Sequence, residues 1–323
     1  MVYTRLQYLQ EPNPRLHVLE RSSSFTQGAQ WQAIERIDSW PEFADLKRKF
    51  LDRLGKSIEP DSIRTVVEKS GFNSIYDESG LAQLHGTTIV MPVAKALPED
   101  TCIRPGGEIS VDQPDLRPDW GATMKTASGG RRPIVCGDTK LGWNVLAAVR
   151  IVGSNRHGYD EVEGRHLVLP LEQLQHYCLG FDVPFGFILT EEYIVCCHFI
   201  LSPESKRSPR PKRTQGRYHQ HARIQSTSTA SSGFESSFSD MSFEPALTDR
   251  HVGRVKLSID PWSPSADDGS FEMKLSLWLL VMEARNHNGL RTVDDDPSDF
   301  GPSQEASESK GKERRRETGR NIR

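Results

Sequence analysis

The chain has 323 residues, 36% of them hydrophobic, enough to bury one substantial core rather than two. A net charge of −3 and a pI of about 6.4 give no overall basic field to gather nucleic acid, so any such contact needs a local patch. No run approaches the ~20 apolar residues of a membrane span, and Met1-Val2-Tyr3-Thr4-Arg5 lacks the charged-then-apolar layout of a secretory signal. The five cysteines, Cys102, Cys136, Cys178, Cys196 and Cys197, show no metal-type spacing. They read as buried, reduced thiols, which places the protein inside the cell, in nucleus or cytoplasm.

Residues 1–39 are weakly patterned, with Ser22-Ser23-Ser24 a loop signal, and are expected to form a partly disordered extension. From Trp40 to Leu54, Phe43, Leu46, Phe50, Leu51 and Leu54 recur at helical spacing. A short helix follows over Ile63–Val67, ended near Gly71. Residues 77–97 read as a longer helix: Asp77 is the N-cap, Glu78 lies in the first turn, and Leu81, Leu84, Thr88 and Met91 form one stripe with Pro92 a kink. A hairpin is expected over roughly 117–140, turning at Ser128-Gly129-Gly130-Arg131.

Leu171–Cys178 is the next helical segment, entered after Pro170 and closed by Gly180. Phe185–Thr190 and Tyr193–Leu201 read as a hairpin of buried strands. Residues 202–249, rich in Ser, Pro, Arg and His, cannot offset their ordering entropy and read as a disordered insert. Order resumes over Val252–Ile259; in Phe271–Ala284, Phe271, Met273, Leu275, Leu277 and Leu279 alternate like a strand while Phe271, Leu275, Leu279 and Met282 fit a helix, and the length favours the helix. The pattern predicts an α/β domain with a small mixed central sheet flanked by helices. Its core would be 40–201, closed by a strand and helix from 250–289, with 290–323 a charged disordered tail.

The motif that carries chemistry is Pro118-Asp119 followed, after the turn, by Gly137-Asp138-Thr139-Lys140. Asp119 ends one strand, and Ile134-Val135-Cys136 begins the next, which carries Asp138 and Lys140 to one face by the two-residue repeat. Two carboxylates can bind a divalent cation, which keeps much of its water. The Thr139 carbonyl can add a third ligand, and Lys140 can hold a water or offset charge on phosphorus. Acid-x-Lys recurs at Asp45/Lys47, Glu204/Lys206, Glu272/Lys274 and Glu308/Lys310, so the spacing alone says little; an ordinary surface Asp–Lys pair is the competing explanation. Gln173 and Tyr177, one helical turn apart, share a face that could meet a phosphate or a base; Tyr177 as core and Gln173 as surface is the plainer alternative. Glu78 could complete a metal shell or merely favour the helix dipole.

Together, Glu78, Arg117-Pro118-Asp119, Gly137-Asp138-Thr139-Lys140 and Gln173…Tyr177 resemble the PD-(D/E)XK nuclease superfamily, whose core is the restriction-endonuclease-like fold. The Gln-x-x-x-Tyr element is similar to that of RecB-type exonucleases. With Gly186–Thr190 and Leu275–Leu280, the wider pattern resembles nuclease-like domains of filamentous fungi. The resemblance spans roughly residues 40–285 and implies Mg²⁺- or Mn²⁺-dependent cleavage of DNA or RNA. It assigns the chemistry to Asp119, Asp138 and Lys140, with Gln173 and Tyr177 supporting and Glu78, Asp119, Asp138 and Thr139 as the metal set. The insert departs from the family pattern. A catalytically silent nuclease-fold protein, acting as a nucleic-acid-binding or accessory module, is the alternative.

Lys206, Arg207, Arg210, Lys212 and Arg213 form a basic cluster that reads as a nuclear import signal or as solvated linker. His219 and His221, with His198 and His251, lack a cysteine pair and do not make a zinc site. Trp120 and Trp143 flank the motif and are read as core, with base stacking the other possibility.

Overall fold

Alternating apolar side chains that suit both faces of a sheet organise this chain. In the computed structural model, described over residues 2–19, 28, 31–60, 63–106, 109, 116–154, 162–201, 252–263, 271–287 and 289, seven strands make one mixed sheet. They are β1 (Ile37–Ser39), β2 (Thr101–Pro105), β3 (Trp120–Lys125), β4 (Arg131–Thr139), β5 (Phe185–Leu189), β6 (Tyr193–Leu201) and β7 (Val252–Pro261), in the order β1-β7-β6-β5-β4-β3-β2. The β4–β5 and β1–β7 pairs are parallel and the others antiparallel.

The sheet is larger than the small one expected from the sequence. Thr101-Cys102-Ile103-Arg104-Pro105 is short and ends in Pro, yet it pairs along β3 as an edge strand, where a missing N–H costs no ladder bond. Residues ahead of position 40 also enter the core. Ile37–Ser39 pairs with Val255–Leu257, and Tyr8, Leu9 and Ile34 are buried.

Helices cover both faces. On one side lie α1 (Glu78–His85) and α2 (Met91–Ala96), joined by a π turn over Gly86–Val90. The wide turn leads into Pro92, whose ring cannot fit against the preceding carbonyls of a regular α-helix. Thr87 and Thr88 hydroxyls donate back to the Gln83 and Leu84 carbonyls there. The cap is the expected one: the Asp77 carboxylate accepts the Gly80 amide at 2.7 Å.

On the other side lie α3 (Val145–Ser154) and α4 (Val162–Phe181). The helix expected to start after Pro170 begins well before it. Pro170 removes one backbone donor, and the buried Val168, Leu169, Leu171 and Leu174 around it hold the helix together. Finally α5 (Met273–Ala284), apolar on every side, is buried almost throughout and returns to the α1/α2 face.

Strand alternation divides the interior into two clusters. Val135, Phe185, Phe187, Leu189 and Cys196 face the α1/α2/α5 layer, while Cys136, Ile188, Val195 and Cys197 face α3 and α4. All five cysteines are free thiols and all but Cys102 are buried. Burial pushes the Cys178 and Cys197 thiols well up, which leaves them unreactive. The basic cluster Lys206, Arg207, Arg210, Lys212 and Arg213, the rest of 202–249, and the 290–323 tail lie outside the described residues. So do His219, His221 and His251.

Candidate active site

The β3–β4 hairpin sets the site. Its turn closes with the Gly129 amide on the Thr126 carbonyl at 3.0 Å and Gly129 at φ +86°, a conformation that favours glycine. A bulge between Ala122 and Thr123 places Pro133 where the ladder is already interrupted. Beyond it Trp120 pairs with Gly137, so Asp119 and Asp138 stand opposite one another at the next step of the hairpin.

Both carboxylates lie on the α4 side, the face of Cys136. Asp119 Oδ2 accepts the Thr139 amide at 2.9 Å, while the Thr139 hydroxyl accepts the Trp120 indole N–H at 2.9 Å. Trp120 and Trp143 are core residues, the latter bonded through its indole to the Leu167 carbonyl at 2.7 Å.

Asp138 is buried and Asp119 exposed, so the pair has one wet and one dry member. Burial holds the Asp138 carboxyl well above the usual carboxylate range; the Lys140 charge works against this and the neighbouring Asp119 carboxylate adds to it. Lys140 Nζ lies 2.8 Å from Asp138 Oδ2. The two form a buried ion pair at the end of β4. A buried carboxylate beside a second one, with an ammonium alongside, is an arrangement to which a divalent cation can bind.

Lys140 is a committed cation. Burial opposes its charge, but Asp138, then Glu78 and Asp119, more than offset that, so its ammonium is held above the ordinary lysine range. Its amide donates to the Leu189 carbonyl at 2.9 Å, continuing the β4–β5 pairing to the end of the motif.

Glu78 comes from the other face of the sheet, at the start of α1. Its Oε1 lies 3.4 Å from Lys140 Nζ and its Oε2 accepts the Leu141 amide at 3.5 Å. It thus meets the site through Lys140. Among the described residues no three His, Cys, Asp or Glu side chains gather as a metal-holding group.

α4 supplies the fourth wall. Gln173 Nε2 donates to the Tyr177 hydroxyl at 2.8 Å. Burial pushes the Tyr177 phenol up to about 12, with the Asp138 and Asp119 charges adding to it and Gln173 and Lys140 opposing. Tyr177 therefore senses both carboxylates and stays a neutral hydroxyl. The fold brings together Asp119, Asp138, Thr139, Lys140, Tyr177 with its partner Gln173, and Glu78 at the margin.

Sequence reasoning missed Glu191. From the β5–β6 turn, both its carboxylate oxygens accept the Gly142 amide, at 3.1 and 3.0 Å. Gly142 has φ +73°, and this clasp fixes the turn that follows Lys140. The only signal was an acid in a short turn between two apolar runs, which is an ordinary place for one.

No protein-family model, curated protein or solved structure matches the chain.

Proposed function

We propose that this protein is a metal-dependent nuclease that hydrolyses phosphodiester bonds of DNA or RNA on a restriction-endonuclease-like fold. The reading rests on one observation: the buried Asp138 carboxylate, paired with the Lys140 ammonium at 2.8 Å, stands beside a second carboxylate, Asp119.

Asp119 and Asp138 would hold Mg²⁺ or Mn²⁺, with the Thr139 carbonyl as a further ligand and water filling most of the shell, as Mg²⁺ prefers. Glu78 stands on the Lys140 side and would reach the ion through water. When bound, the cation supplies charge neutralisation at the phosphoryl oxygens and activation of the attacking water. Lys140, being firmly protonated, cannot serve as the general base. It orients the attacking water and offsets the negative charge that grows on phosphorus. Tyr177 keeps its proton and, with Gln173 occupying its acceptor side, can donate to a non-bridging phosphate oxygen.

Incubation of the purified protein with plasmid DNA or RNA and Mn²⁺ tests this. Cleavage that disappears in Lys140→Ala and in EDTA supports it; equal cleavage by wild type and variant rejects it. The second reading, a silent module that binds nucleic acid without cutting it, is favoured by the lack of a third carboxylate at the ion position among the described residues. Binding without cleavage under the same conditions would establish that reading.

A further inference from the structure

Three guanidinium groups from three separate helices gather at the end of α5. Arg5 opens the short helix Arg5–Leu9, which packs against the Leu51–Leu54 helix carrying Arg53 and against α5, whose C-cap is Arg285. The fully buried Leu9 and Leu54 tie the two short helices into the core. Arg5 and Arg285 are partly buried and Arg53 is exposed, so the cluster opens to solvent at Arg53. The Arg53 charge acts on both of the others. Burial and then Arg53 lower the pKa of Arg5; burial lowers that of Arg285, with Asp100 opposing and Arg53 adding to it.

A single acid serves the three. Asp100 Oδ2 accepts Arg285 Nη2 at 2.6 Å and its Oδ1 accepts the Thr101 hydroxyl at 2.9 Å, so both oxygens are engaged. Asp52 and Glu99, the nearby acids in sequence, are exposed and form no ion pair with the cluster. Glu283 is taken by Lys49 and His287. Three positive charges against one negative leave two uncompensated. Two donors are left over as well: Arg5 Nε and Arg285 Nη1 are shielded from water and meet no acceptor among the described residues. A shielded charged donor without an acceptor is costly, and like charges held together add to that cost.

We infer that Arg5, Arg53 and Arg285 form a binding site for a phosphate dianion, either the free ion or the phosphate group of a small phosphomonoester. Its charge matches the two uncompensated positive charges, whereas a carboxylate or chloride ion would balance only one. Its acceptor oxygens suit donors that arrive from three helices, and the planar guanidinium fork engages such oxygens in pairs. The site is independent of the nuclease reading. The Lys125 amide donates to the Asp100 carbonyl at 2.8 Å, which puts Asp100 at the end of β3 away from Asp119. The six residues of β3, at about 3.3 Å each, set Asp100 about 20 Å from Asp119.

The test is isothermal titration calorimetry of the full chain in EDTA at about pH 8, where phosphate is a dianion. The titrants are inorganic phosphate, phenyl phosphate and, as a control at equal ionic strength, acetate. Wild type should take up about one phosphate per chain and no acetate. Arg53→Gln and Arg5→Gln should each weaken phosphate binding about tenfold or more, the loss expected for one charge-assisted contact. Arg53 is exposed, so Arg53→Gln should still unfold cooperatively, which keeps the test decisive even if Arg5→Gln does not fold. Phenyl phosphate bound as tightly as inorganic phosphate assigns a phosphomonoester, and inorganic phosphate bound alone assigns the free ion; either result sustains the site. No phosphate uptake by a folded wild type, equal uptake by Arg53→Gln, or acetate bound as tightly as phosphate would overturn it. Because EDTA removes the cation, the outcome does not depend on whether the chain cleaves nucleic acid.

Discussion

Asp119 Oδ2 accepts the Thr139 amide at 2.9 Å, which ties the end of one hairpin strand across to the other between the two residues that carry the charge, Asp138 and Lys140. The bond fixes the Asp119 side chain through a backbone group of its neighbour. The separation of the two carboxylates is thereby set by hairpin register rather than by flexible side chains. A Gln or Glu at 119 would have to reach differently and would lose that constraint.

The glycine before Asp138 is part of the same design. Gly137 pairs with Phe187, and a Cβ at 137 would run into the Phe187 ring. Gly137→Ala should destabilise the protein by about 1–3 kcal/mol, the usual cost of overpacking a tight core. Urea denaturation measures this, and the displaced strand should lower metal-dependent activity as well. Gly129→Ala, strained by its positive φ but with open space around it, should cost only about 1 kcal/mol and leave activity intact.

Trp278 is fully buried in α5, and its indole N–H donates to the Ala96 carbonyl at 3.1 Å. Trp278→Ala should cost about 3–5 kcal/mol, from the lost burial and the cavity left between α5 and α2. Thermal unfolding should show a correspondingly lower midpoint.

His85 should make the fold less stable in acid. It is fully buried beside Trp262, with ring centroids 5.5 Å apart, and neither ring nitrogen has a well-formed hydrogen-bond partner. Burial lowers its pKa to about 3, only weakly opposed by the Thr190 backbone. The unfolded chain then binds a proton below about pH 6.5 that the folded chain refuses. Stability from this residue is therefore complete above about pH 6.5 and declines as pH falls toward 3, with a slope of up to about 1.4 kcal/mol per pH unit. His85→Leu should flatten that part of the urea-midpoint profile. An unchanged slope would assign the acid sensitivity elsewhere.

Tyr177→Phe separates chemistry from packing. The ring stays in its place in the core, while the hydroxyl that accepts from Gln173 and faces the carboxylates is lost. Stability should change by no more than about 1 kcal/mol. Cleavage should fall by about tenfold, the equivalent of one neutral hydrogen bond in the transition state. A single-turnover assay with Mn²⁺ reads the second quantity and thermal melting the first.

Local chemistry made much of this arrangement legible. Asp77 as a cap, Gly129 in the turn and the period-two runs of β4, β5 and β6 each declare themselves within a few residues. Position was harder to read wherever tertiary packing overruled a local stop signal. Pro170 reads as a helix boundary, yet buried side chains on both sides carry α4 through it. Thr101–Pro105 has no distinctive pattern and is a strand because β3 lies beside it. Within the site, Asp119, Asp138 and Lys140 were legible because one hairpin holds them. Glu191 and the exact reach of Glu78 depend on turns from distant parts of the chain, and nothing near either residue encodes the meeting.

The most direct measurement is a calorimetric titration of the full chain with Mn²⁺, run beside Asp138→Asn. Asn keeps the shape of the side chain and removes the charge. Uptake of about one ion per chain by wild type, lost in Asp138→Asn while the variant still unfolds cooperatively, is the predicted result. Equal uptake by both proteins, or none by a folded wild type, would contradict the claim that Asp119 and Asp138 share one cation.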